Sequence, residues 1–76
     1  MLLDISILSS REIVFEGKAK SVILPGENGV FEVLAFHKFI LSRLVSGKIM
    51  VDGQSFPIRR GIAKARQNKV TIIMEE

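Results

Sequence analysis

His37 is the only histidine in the chain of 76 residues, and cysteine is absent. With no second His and no Cys at ligand spacing, His37 has no companions for a zinc site. The lack of Cys also excludes disulfides, thiolate metal sites and a Cys nucleophile. His37 therefore reads as a structural or surface histidine. Glu27 and Glu32 are close enough in sequence to face each other across a turn. Paired carboxylates can do general acid–base work, but nothing nearby separates these two from solvated acids at a strand edge. The run Pro25-Gly26-Glu27-Asn28-Gly29 is rich in glycine. It lacks the Lys-Ser/Thr pair that completes a phosphate-cradling loop, and no Gly-x-Ser-x-Gly elbow occurs. These residues predict no nucleophile–base pair, no metal cluster and no cofactor, and so no free-standing enzyme.

The basic residues offer a different chemistry. Net charge is +3, but residues 1–32 are acidic on balance, whereas residues 33–74 carry eight Lys or Arg against Asp52 alone. Such asymmetry marks a solvated surface or a basic face for an acidic partner, anionic lipid or nucleic acid. Arg59, Arg60, Lys64, Arg66 and Lys69 could line a groove. A small barrel that reads single strands also needs exposed aromatics among such charges. Phe15, Phe31 and Phe56 lie inside apolar runs, where core packing accounts for them. Phe36 and Phe39 are the two that could stand outside. A small basic barrel for single-stranded nucleic acid is the alternative function to weigh.

The elements that hold these residues are short. Gly, Pro, Asn and Asp recur at Gly17, Pro25-Gly26, Asn28-Gly29, Gly47, Asp52-Gly53, Pro57, Gly61 and Asn68, with apolar runs of strand length between them. That pattern predicts an all-β sandwich or barrel. Leu3, Ile5 and Ile7 alternate with Asp4 and Ser6, the period of a half-buried strand. Ile13 to Phe15 form a second strand, and Ser21 to Leu24 a third. The third is expected to stop at Pro25, since proline cannot donate to a ladder. Asn28-Gly29 tolerates positive φ at both positions and marks a tight turn, after which Val30 to Leu34 resume as a strand. Asp52-Gly53 predicts a two-residue hairpin between Ile49–Val51 and Gln54–Phe56. Ile62 to Ala65 is a weaker strand with Ala63 and Ala65 on one face, and Lys69 to Met74 is a strong β-branched one after a Gln67-Asn68 turn. One segment breaks the pattern. Phe36, Phe39, Ile40, Arg43 and Leu44 fall at helical spacing with Gly47 where a C-cap would sit, so residues 36–45 are expected to form a helix.

The bulk properties fit one small domain over residues 1–76. Hydrophobic residues make up 47% and charged residues 25%, a globular balance. A domain this short hides only about 60% of its unfolded surface, so a partner is expected to add stability. The longest apolar run, Val33 to Phe36, is far too short for a transmembrane helix. Met1-Leu2-Leu3-Asp4 has no basic n-region, so no signal peptide is expected.

The order of the motifs carries more than any one of them. The stretch Ser21-Val22-Ile23-Leu24-Pro25-Gly26-Glu27-Asn28-Gly29-Val30-Phe31-Glu32-Val33-Leu34-Ala35-Phe36-His37 resembles the epsilon subunit of F-type ATP synthase. There a strand ends in Pro-Gly, and a Gly-containing turn, an aromatic, Val-Leu and a His follow. Ile40 to Gly47 are similar to that family's next stretch. Ile13-Val14-Phe15-Glu16-Gly17 fits its strand ending in Phe-x-Gly, and Arg60 to Ile73 its closing hairpin, with Asn68-Lys69-Val70-Thr71-Ile72 near the end. There are departures. Glu32 stands where the family usually has Gly, Val30 where members often carry an acid, and Lys38 where a small residue is usual. Ala35 and Phe39 replace two prolines flanking the His, Arg60 replaces the first of a Gly pair, and the hairpin at Asp52-Gly53 is short. Loss of the prolines relaxes the backbone near His37.

The resemblance implies a β-sandwich of two mostly antiparallel sheets and a non-catalytic place in the central stalk, peripheral to the energy-coupling membrane. Its partners would be the gamma subunit and the ring of membrane c subunits, with no substrate of its own and no nucleic acid. By matching positions, Glu27, Asn28, Gly29, Val30 and Glu32 are expected to face the c-ring, and His37, Lys38 and Ser42 to face gamma. Family members carry a C-terminal helical hairpin that can inhibit ATP hydrolysis. Residues 1–76 contain no counterpart, so these residues are not expected to inhibit hydrolysis by that route.

Overall fold

The computed structural model describes residues 1–75, and all its regular elements are strands. They are β1 (Leu3–Leu8), β2 (Ile13–Ala19), β3 (Ser21–Gly26), β4 (Gly29–Leu34), β5 (Ile40–Leu44), β6 (Gly47–Val51), β7 (Gln54–Ile58), β8 (Arg60–Arg66) and β9 (Lys69–Glu75). Pairing follows the order β2-β1-β9-β8-β5-β3-β6-β7, with β4 on the other side of β3. Five strands, β2-β1-β9-β8-β5, form one layer, and β4-β3-β6-β7 form the other. A single pair, Gly26 with Leu44, joins them through β3 and β5. Every ladder is antiparallel except β1 with β9. The expected all-β sandwich is therefore present, its two sheets curling into each other at one seam.

Period-two patterning builds the core. Leu3, Ile5 and Ile7 point inward from β1, as do Val70 and Ile72 from β9. They meet Val22, Leu24, Val33, Ile49, Val51 and Ile58 from the second sheet in one buried cluster. On β8 the inward residues are small. Gly61, Ala63 and Ala65 lie opposite Met74, Ile72 and Val70, so bulk on β9 fills the space that β8 leaves, as close packing requires. Phe15 on β2 and Phe56 on β7 meet with ring centroids 5.3 Å apart, linking the two sheets through strands at opposite ends of the pairing order. Phe31 also packs against the core, so these three phenylalanines do what their apolar settings predict.

Three local expectations are corrected. Residues 36–45 are not a helix. Ile40–Leu44 is strand β5, paired residue for residue with β8 from Ile40 opposite Ala65 to Leu44 opposite Gly61. Its burial alternates, with Leu41 and Arg43 outward, and Gly47 opens β6 instead of capping a helix. A ladder partner some twenty residues downstream outweighs the local spacing. Next, β3 does not stop at Pro25. It continues to Gly26, with Pro25 opposite Val30 and the Pro25 carbonyl accepting the Val45 N–H at 2.9 Å. Finally, Gly26 pairs with Gly29, which leaves Glu27 and Asn28 as the turn. Positive φ falls on Gly29 (126°) and not on Asn28. The other hairpins match expectation, with positive φ at Asp52 and Gly53 and at Gln67 and Asn68.

Candidate functional site

The β3–β4 turn is fixed from both sides. The Glu27 N–H donates to the Arg43 carbonyl at 3.0 Å, and the Val45 N–H to the Pro25 carbonyl at 2.9 Å. These bonds tie the turn to the end of β5. A side chain at Gly26 would strike the Phe31 ring at 2.6 Å and the Gly29 carbonyl at 2.8 Å, which is why glycine holds this corner. Glu27, Asn28, Gly29, Val30 and Glu32 are all exposed, Val30 by 73%. Val30 and Glu32 share the outer face of β4, while Val33 is buried in the core. The turn thus presents an acid, an amide and an apolar side chain from an immobilised backbone.

His37 and Lys38 occupy the β4–β5 connection at the other end of β4. The six residues of β4 separate this connection from Glu27 and Asn28, about 20 Å at the usual rise, whereas Glu32 lies on β4 itself, near its end. Phe36 enters this connection with φ of 66°, and its N–H donates to Asn68 Oδ1 at 2.6 Å. A bulky residue at positive φ is an outlier, held here by the β8–β9 turn. His37 Nδ1 lies 3.0 Å from the Lys38 carbonyl. That oxygen only accepts, so Nδ1 is the donor in this contact. Ser42 is separate from these two. It sits in β5 opposite Ala63, half-buried on the face shared by Ile40 and Leu44, and its hydroxyl donates to the Arg43 carbonyl at 3.1 Å.

Of the eight predicted site residues, the structure puts Glu27 and Asn28 in the turn, Gly29, Val30 and Glu32 along β4, His37 and Lys38 in the connection beyond it, and Ser42 in β5. Phe36 (77%) and Phe39 (59%), the two phenylalanines that could stand outside, are the exposed neighbours of His37.

The basic residues do not line a single groove. Arg59 and Arg60 border a cleft at the Glu27 end together with Arg43, Glu27 and Glu75, of about 570 Å³. Arg60 Nε is 3.8 Å from Glu75 Oε2 there. Lys64, Arg66 and Lys69 border a different cleft on the five-stranded sheet. This division removes the continuous cationic channel on which the nucleic-acid alternative depended. Among the described residues no three of His, Cys, Asp and Glu come together.

Comparison with known proteins agrees with this geometry. Residues 2–76 match the family model of the ATP synthase delta/epsilon chain β-sandwich domain. The chain is 39% identical to the ATP synthase epsilon chain of Protochlamydia amoebophila, over 99% of its own length and 54% of that relative. It is 34% identical to the epsilon chain of Chlorobaculum tepidum, over 95% of its length and 88% of that relative. With the chloroplastic epsilon chain of Tetradesmus obliquus the figures are 36%, 100% and 59%. The chain thus spans little more than half the length of some of these relatives. Among solved structures it resembles a chain of the Euglena gracilis mitochondrial ATP synthase, with a TM-score of 0.87 and 19% identity, covering 96% of this chain and 50% of that one. A chain of the Tetrahymena thermophila mitochondrial ATP synthase central stalk and c-ring gives a TM-score of 0.79 at 8% identity, with 97% and 63% covered. The two structures support the fold, and the sequence matches along the whole chain establish that it belongs to the ATP synthase delta/epsilon family as that family's β-sandwich domain.

Proposed function

We propose that this chain is a non-catalytic rotor part of an F-type ATP synthase, joining the gamma subunit to the c-ring in the central stalk so that ion-driven rotation reaches the catalytic head. The observation that carries this reading is the separation of the two expected contact surfaces. The Glu27–Asn28 turn and the His37–Lys38 connection sit at opposite ends of β4, over one close-packed core, with Val30 and Glu32 on the outer face of the strand between them. A body that must pass torque between two partners needs contact surfaces set apart and a stiff interior between them. Packed interiors are barely compressible and transmit strain. In this reading Glu27, Asn28, Gly29, Val30 and Glu32 meet the polar loops of the c-ring, and His37, Lys38 and Ser42 lie toward gamma, on the membrane-peripheral side of the complex.

Single cysteines test the assignment, because the chain has none of its own. In the assembled complex, Val30→Cys should crosslink to a c subunit, and His37→Cys to gamma. Capture of the same partner from both positions, or of neither partner, would falsify the two-ended arrangement.

A further inference from the structure

The outer face of the five-stranded sheet holds a cleft that neither proposed contact surface uses. Lys64 and Arg66 of β8, Gln67 of the turn, Lys69 and Thr71 of β9, and Asp4 of β1 border a volume of about 440 Å³. Register brings them together. Arg66 is directly opposite Lys69, Lys64 is directly opposite Thr71, and Asp4 is beside Lys69. Strict alternation along β8 turns Lys64 and Arg66 outward. Like charges directly opposite each other in an antiparallel pair repel and destabilise it, as Arg66 and Lys69 do here. Asp4, the one acid bordering the cleft, already accepts from Lys18 Nζ at 2.8 Å. Among the described residues no carboxylate lies within 4 Å of Lys64, Arg66 or Lys69. The arginines at the Glu27 end differ, since two glutamates share their cleft.

We propose that this cleft binds a phosphate group, either the headgroup phosphate of an anionic lipid or that of a soluble phosphate compound. Three cations and one carboxylate border the cleft, a surplus of two positive charges. A phosphomonoester brings about −1.5 to −2 at neutral pH. The Arg66 guanidinium presents a planar fork to two phosphate oxygens, and the lysine ammoniums supply compact charges. The Thr71 hydroxyl and the Gln67 amide add neutral donors. The bound anion would separate Arg66 from Lys69 electrostatically, so occupancy should remove a repulsion that the empty site carries. This inference does not depend on the rotor assignment.

The test is a set of thermal melts of the full chain at constant ionic strength, with sodium chloride, inorganic phosphate or inorganic pyrophosphate. Phosphate at ten times its dissociation constant should raise Tm by roughly 6–11 °C beyond chloride. The double variant Arg66→Gln/Lys69→Gln should melt at or above the parent temperature without anion, and should lose at least tenfold in phosphate affinity. Flotation with phosphatidylglycerol vesicles, against pure phosphatidylcholine, identifies the source. Capture by phosphatidylglycerol at a lipid-phosphate concentration at least tenfold below that needed for soluble phosphate assigns the site to lipid, and any weaker capture assigns it to a soluble compound. The proposal is overturned by a phosphate shift no larger than that of chloride, by a shift the variant retains, or by an equal shift with polyglutamate of matched charge.

Discussion

Asp52 does two jobs. It takes positive φ (47°) in the β6–β7 turn, and its carboxylate accepts the Lys20 and Ser21 N–H groups at 3.0–3.1 Å. Asp52-Gly53 was legible as a hairpin, but the grip on the β2–β3 junction was not, because its partners lie more than thirty residues upstream. Asp52→Ala is expected to cost about 2 kcal/mol in urea denaturation, since it strands two backbone donors, while Asp52→Asn should recover part of that loss. Asn68 is similar in kind. It holds φ of 61° and accepts the Phe36 N–H. Asn68→Ala should cost about 1–2 kcal/mol and should also weaken capture of gamma by a crosslinker at His37, because the connection carrying His37 loses its anchor. An unchanged crosslink yield would separate Phe36 from that role.

At the scale of elements, β8 is held between β5 and β9. A Cβ at Gly61 would lie 2.3 Å from the Ile73 carbonyl oxygen. Gly61→Ala should therefore destabilise by about 2–3 kcal/mol, as overpacked cores do, whereas Lys48→Ala, at an exposed position of β6, should stay within about 0.5 kcal/mol. Equilibrium denaturation of both decides the point. The same geometry accounts for the glycine of Arg60-Gly61 that survives from the pair the family resemblance implies. Strand β5 makes a second prediction. Circular dichroism of the chain should show a single β minimum and no helical band at 222 nm, since residues 40–44 are extended. The helical spacing of Phe36, Phe39, Ile40 and Leu44 misled because Phe36, Ile40 and Leu44 are also an even number of residues apart, which suits either period. Only the ladder with β8 separates them.

The whole molecule shows what a partner would gain. Ile62, Ile73, Leu8 and Ile13 form one cross-strand row over β8, β9, β1 and β2, with the three isoleucines exposed. Phe36, Phe39 and Met1 add apolar surface elsewhere. A chain this small is held by a modest core, and a partner that binds only the folded form adds stability by mass action, about 2.7 kcal/mol at a hundred times the dissociation constant. Titration with purified gamma subunit should accordingly raise Tm in a concentration-dependent way. A flat melting temperature across that titration would count against gamma as a partner.

Local pattern was enough to determine the all-β class, most strand positions, the Asp52 and Asn68 turns, and the inward rows of β1 and β9. Each follows from side-chain alternation or turn chemistry acting over a few residues, and the ordered motifs pointed to the family. Tertiary structure alone decided that β5 is a strand, that β3 runs through Pro25, and that Phe36 and Phe39 stand in solvent. It also decided that the basic residues divide between two clefts. These outcomes rest on hydrogen bonds and burial between residues far apart in the chain, such as Gly26 with Leu44 and Phe36 with Asn68. Nothing in a short window of sequence encodes which distant edge a strand will find.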